Sequence, residues 1–100
     1  MKVTISKQDG EAVVLLNGRL DTPASLEVAD KLEPLKAFDE KTLILDCKDL
    51  SYISSSGLRI FLALRKAAAE KGGRVIVRDI NDSIRTIFMM TGFLNFFEIQ

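Results

Sequence analysis

Residues 52–58 read YISSSGL. An apolar run ending at Ile53 meets three hydroxyls and a glycine, and a helical-looking run, Gly57–Gly73, follows. A strand that hands over to a helix in this way is the joint of a layered α/β protein. Three roles are open to serines at such a joint: nucleophile, phosphate acceptor or helix cap. The rest of the chain narrows them.

Downstream, GLRIFLALRKAAAEKGG places Leu58, Phe61, Leu62 and Ala69 on an expected apolar face, with Arg59, Arg65, Lys66 and Glu70 left wet. Gly72-Gly73 stops the helix, since glycine accepts the left-handed conformation past a helix end. RVIVRDI is the next expected strand. NDSIRTIFMMTG is a third helix, capped by Asn81 or Asp82, with Ile84, Ile87 and Phe88 inward and Gly92 at its end. FLNFFEIQ closes the chain as a short edge strand.

Upstream, KVTISK alternates, with Val3 and Ile5 on one face. Asp9-Gly10 is a two-residue hairpin signal, because both residues tolerate positive φ. Ala12–Gly18 then forms the antiparallel partner, apolar enough to be expected buried on both faces. The next helix starts at Asp21 or Thr22, with Pro23 suited to its first position and Leu26, Ala29 and Leu32 at helical spacing. Pro34 ends or bends it. TLILDC is a short buried strand, and KDLSYI receives no strand of its own in this reading.

The expected order is ββαβαβα(β): one α/β domain, residues 1–100, with a mixed sheet built from an N-terminal hairpin followed by alternating helices and strands. Its crossovers are expected to be right-handed. One hundred residues suffice for one self-supporting core.

Composition excludes several functions. Fourteen basic and fourteen acidic residues cancel, so no net field draws nucleic acid or anionic lipid. There is no histidine, the usual base for a serine nucleophile, and the single Cys47 leaves neither a disulfide nor an ordinary zinc site. Phosphate-loop and nucleophile-elbow patterns are missing, so the expectation is a non-enzyme without cofactor or metal. Cys47 reads as a small buried apolar residue, and Asp46 and Asp49 as carboxylates without further ligands. No bilayer-spanning run and no signal-peptide pattern is present. A cytoplasmic protein, monomeric when alone, is the expectation.

By the open-sheet rule, partners meet an α/β sheet where strands feed helix N-termini. Ser54, Ser55, Ser56 and Gly57 occupy that place for the second helix, and Asp21 and Thr22 for the first. The dipole end and free N–H groups there favour an anion by about 0.3–1 kcal/mol. A serine phosphate would add roughly −1.5 to −2 charges at that rim. Read as a cap instead, a serine satisfies one orphan N–H, worth about 1 kcal/mol. The two roles are compatible.

Taken together, LNGRLDTPAS, LILDCKDLSYISSSGLRIFLAL and GGRVIVRDINDSIRTIFMMTGFLNFFEI resemble the STAS domain of bacterial anti-sigma factor antagonists over essentially the whole chain. The resemblance rests on Gly-x-Leu-Asp after the second strand, the strand ending in Asp46, Ser-Ser-Gly-Leu opening the second helix, and Thr91-Gly92-Phe93 before the last strand. It implies a protein that binds an anti-sigma factor, itself a serine kinase, and so frees a sigma factor. Phosphorylation would break that complex and a serine phosphatase would restore it. By position Ser55 becomes the phosphoacceptor, with Ser54 and Ser56 as flanking alternatives. The implied docking set is Asp21, Thr22, Ser54, Ser55, Ser56, Gly57 and Leu58. The chain departs from the family pattern at Ser54, where aspartate is usual. The alternative is therefore an unphosphorylated STAS scaffold or a transporter-associated regulatory subunit.

Overall fold

The computed structural model describes all 100 residues. Strands β1 (Lys2–Gln8) and β2 (Glu11–Leu20) form the expected hairpin, and Asp9 and Gly10 both take positive φ, 53° and 79°. Helix α1 (Thr22–Leu32) follows and runs into a 3-10 turn, Glu33–Ala37, at Pro34. Then come β3 (Thr42–Asp46), β4 (Leu50–Ile53), α2 (Ser55–Lys71), β5 (Arg74–Arg78), α3 (Asp82–Thr91), a short 3-10 turn and β6 (Glu98–Ile99).

The sheet order is β1-β2-β3-β5-β6, with β1 antiparallel to β2 and the remaining pairings parallel. β2 is long enough to serve two partners. Its first half, Glu11–Leu15, pairs with β3, and its last residues, Gly18–Leu20, pair with β4 across a register shift at Gly18/Arg19. β4 is the strand missing from the sequence reading. LSYI is too short to announce itself, and it is a strand because β2 overruns β3 and offers free backbone groups to it.

Val14, Leu16, Leu43, Leu45, Val75 and Val77 share one cluster with Val28, Leu32, Phe61, Leu64, Ile84 and Phe88 from the helices. The other pleat carries Val13, Ile44 and Ile76 in one cross-strand row. The expectation that β2 is buried on both faces is therefore corrected. Ala12, Val14 and Leu16 are buried, whereas Leu15 is exposed, because the helices pack on the opposite face.

Two helix phases also differ from expectation. Leu26 is 76% exposed and Ala29 half-buried, and α1 buries Ser25 and Val28 alongside the expected Leu32. Ser25 tolerates a core position because its hydroxyl donates to the Asp21 carbonyl at 2.7 Å. In α2 the buried stripe is Leu58, Phe61, Leu64 and Ala68, with Leu62 half-buried and Ala69 exposed. In α3 Ile84 and Phe88 are buried and Ile87 is half-buried. The C-terminus is held by aromatic packing. Phe97 is buried against Phe61 and Phe88, with ring centroids 6.2 and 6.1 Å away, while Phe96 is exposed under the Arg65 guanidinium.

Candidate functional site

Leu20 and Ile53, the last residues of β2 and β4, stand opposite each other in parallel register. The residues that follow, Asp21 and Ser54, therefore leave the sheet side by side, and each begins a helix. The Asp21 carboxylate accepts from the Ala24 N–H at 3.0 Å and caps α1. The Ser54 hydroxyl accepts from the Gly57 N–H at 3.1 Å and caps α2. One sheet end thus presents two adjacent helix N-termini, whose partial positive charges add.

Ser54 is 8% exposed and is tied to the neighbouring strand twice. Its hydroxyl and its N–H both donate to the Leu20 carbonyl at 2.9 Å. That explains how serine serves where the resemblance implies aspartate. It caps as an acceptor and also donates to Leu20, which an ionised carboxylate cannot do. The hydroxyl proton is committed, so Ser54 is part of the joint itself.

Ser55, the first residue of α2, is exposed, and Ser56 is half-buried. Gly57 is buried: a Cβ there would lie 2.8 Å from Leu20 Cγ and 2.9 Å from Ile53 Cγ1. Only glycine lets α2 start this close to β2 and β4. Leu58 is buried in the core. Of the docking set drawn from the sequence, Thr22 and Ser55 are exposed, Asp21 and Ser56 are half-buried, and Ser54, Gly57 and Leu58 lie inside the joint that holds them.

Asp46 is structural. It is buried and pairs with Arg78 at 2.9 Å, and the Lys48 N–H donates to it at 3.0 Å. Burial alone would raise its pKa. The Lys48 N–H, the Arg78 hydrogen bond and the nearby positive charges outweigh it and hold the carboxyl below its ordinary value. Cys47 is buried and its thiol is pushed up to about 12, first by burial and then by the Asp46 and Asp79 charges. It is a protonated, unreactive core thiol. No group of three or more His, Cys, Asp or Glu is placed to hold a metal ion, and no helix is long and apolar enough to cross a membrane.

The sequence reading missed a groove between α1 and α2. Ala29, Leu32, Lys36, Arg59, Ile60, Ala63 and Leu64 enclose about 160 Å³. Its signal is small residues on both helices, but nothing in the order of residues says which helix faces which.

The STAS domain family model matches residues 2–100. The chain belongs to the STAS domain family. A Bordetella bronchiseptica protein named as an anti-sigma factor antagonist is 29% identical over 99 residues, covering 99% of this chain and 85% of that one. The Bacillus subtilis anti-sigma-B factor antagonist is 25% identical over 100 residues, covering 100% and 91%. Among solved structures, an anti-sigma factor antagonist from Mycobacterium paratuberculosis superposes with a TM-score of 0.84 at 21% identity, covering 98% of this chain and 83% of that one. The antagonist SpoIIAA in its unphosphorylated form gives 0.78 at 20% identity, covering 99% and 87%. These two structures share the STAS fold described above.

Proposed function

We propose that this STAS domain is an anti-sigma factor antagonist that grips its partner with the rim at the start of α1 and α2 and is switched by phosphorylation of Ser55. One observation carries the reading. The Leu20–Ile53 register sets exposed Ser55 next to the cap of the neighbouring helix, so a phosphate there changes the charge of the whole rim. The names of the relatives support the class of partner.

Ser55 holds the switch because it alone of the three serines is both exposed and at the first helical position. Ser54 is closed off by Leu20. A phosphate at the first turn is tolerated by the helix dipole, so modification leaves the fold intact and acts on the interface. Thr22 and Asp21 flank the contact from α1, and Gly57 and Leu58 support it from beneath. The partner kinase adds the phosphate and a serine phosphatase removes it.

The same geometry also fits a constitutive scaffold or transporter-associated subunit, favoured by Ser54 standing where the family usually carries aspartate. One experiment separates the two. The purified domain is incubated with an anti-sigma factor kinase from the same organism and ATP, followed by phosphopeptide mass spectrometry and binding measurements on Ser55→Ala and Ser55→Asp. The switch requires phosphate on Ser55 and at least tenfold weaker binding by Ser55→Asp, since tenfold corresponds to about 1.4 kcal/mol. Equal binding by both variants, with no phosphate on Ser55, leaves the scaffold reading.

A further inference from the structure

The gap between α1 and α2 is bounded by short side chains where two packed helices usually interdigitate. Ala29 and Ala63 line it, Leu32 and Leu64 are its buried floor, and Ile60 is half-buried at its wall. Its volume of about 160 Å³ matters, since an apolar cavity of roughly 150 Å³ accommodates a benzene-sized group. One large apolar side chain fits.

The charges at its mouth have one sign in excess. Lys36 is held by Glu33 at 2.9 Å, whereas Arg59 is exposed and forms no ion pair. Leu26, 76% exposed, sits three residues before Ala29 and extends the apolar surface back towards Thr22 and the rim. The result is an apolar trough with a free guanidinium at its lip, running away from the start of α2.

We propose that the α1–α2 groove receives a segment of the anti-sigma factor that carries a bulky apolar side chain with a carboxylate beside it. The apolar group sits over Leu32 and Leu64, and the carboxylate pairs with Arg59. The proposal rests on the antagonist reading above and extends its contact from the rim along the two helices. It also supplies a route for the switch. Arg59 lies four residues after Ser55, the spacing at which helix side chains meet. A phosphate on Ser55 competes for the guanidinium that the partner's carboxylate needs.

The test is calorimetric titration of the anti-sigma factor with the wild-type domain and with Arg59→Glu, Ala63→Phe, Leu26→Glu and, as a charge-matched control at the end of β1 opposite the rim, Lys7→Glu. Arg59→Glu, Ala63→Phe and Leu26→Glu are expected to weaken binding at least tenfold, and Lys7→Glu less than twofold. Leu26→Glu alters an exposed position, so it answers the question even where Ala63→Phe fails to fold. In an Arg59→Gln background, Ser55→Asp is expected to cost less affinity than in the wild type. If Ala63→Phe and Leu26→Glu bind as wild type while Ser55→Asp weakens, the groove is overturned and the antagonist reading stands, whatever Arg59→Glu does. If the wild type does not bind, both fall.

Discussion

The Ser54 hydroxyl donates to the Leu20 carbonyl at 2.9 Å while accepting from the Gly57 N–H at 3.1 Å, so a single oxygen joins the end of one strand to the start of a helix that follows another. That bond fixes the distance between the first turns of α1 and α2. It allows Ser55, one residue on, to be exposed without being loose. The exposed Ser55 depends on a buried neighbour.

Ser54→Ala removes the cap and the side-chain donor together. The Leu20 carbonyl keeps the Ser54 N–H, so no acceptor is orphaned. The expected loss is about 1–2 kcal/mol, read from the urea midpoint. An unchanged midpoint would show that the cap is dispensable.

Gly57→Ala drives a methyl group into Leu20 and Ile53, both fully packed. An isolated helix would gain stability from this change. Here overpacking wins, and a net loss of about 1–3 kcal/mol is expected. Thermal unfolding followed by circular dichroism reads the sign directly.

Asn81→Asp separates two jobs of one side chain. Asn81 accepts from the Ile84 N–H at 2.9 Å as the cap of α3, and its amide donates to the Leu50 carbonyl at 2.8 Å. Aspartate caps equally well but cannot donate when ionised. We expect a loss of about 1–3 kcal/mol at neutral pH despite the conserved cap. A variant as stable as wild type would show that the Leu50 bond contributes nothing.

Asp46 gives the fold an acid sensitivity of defined sign. Its folded pKa lies below the ordinary 3.8, so its contribution is complete above that value and is lost as pH falls through the folded pKa. Asp46→Asn should be less stable than wild type at neutral pH, since its amide faces Arg78. The two proteins should converge in acid, below about pH 4. Denaturation curves collected from pH 7 to pH 2 that stay parallel would refute the pairing.

The helix-start and core positions were legible to different degrees, for reasons that individual residues make plain. Asp9-Gly10 announces the hairpin because positive φ is a local demand. Pro34 announces the end of α1 because a missing N–H is local too. Leu26 misled because its spacing to Ala29 and Leu32 is correct for a helix face, yet α1 turns Val28 and Leu32 to the core, and Ser25 joins them because its hydroxyl donates back to the Asp21 carbonyl. β4 was left out of the expected order, although the apolar run ending at Ile53 was plain, because its pairing with β2 joins residues 32 and 33 positions apart in no pattern that LSYI itself carries.

From the residues alone came the succession of strands and helices, the apolar stripes in outline, the serine at a helix start, and the lack of histidine and of an ordinary zinc ligand set. Each depends on dihedral preference, periodicity or the presence of a chemical group, and these act within a few neighbours along the chain. The tertiary structure alone decided that Ser54 is buried and Ser55 exposed, and that α1 and α2 leave a groove with Arg59 at its lip. Those facts follow from the parallel register of Leu20 with Ile53 and from which helix faces which, and both are chosen by packing between segments far apart in sequence.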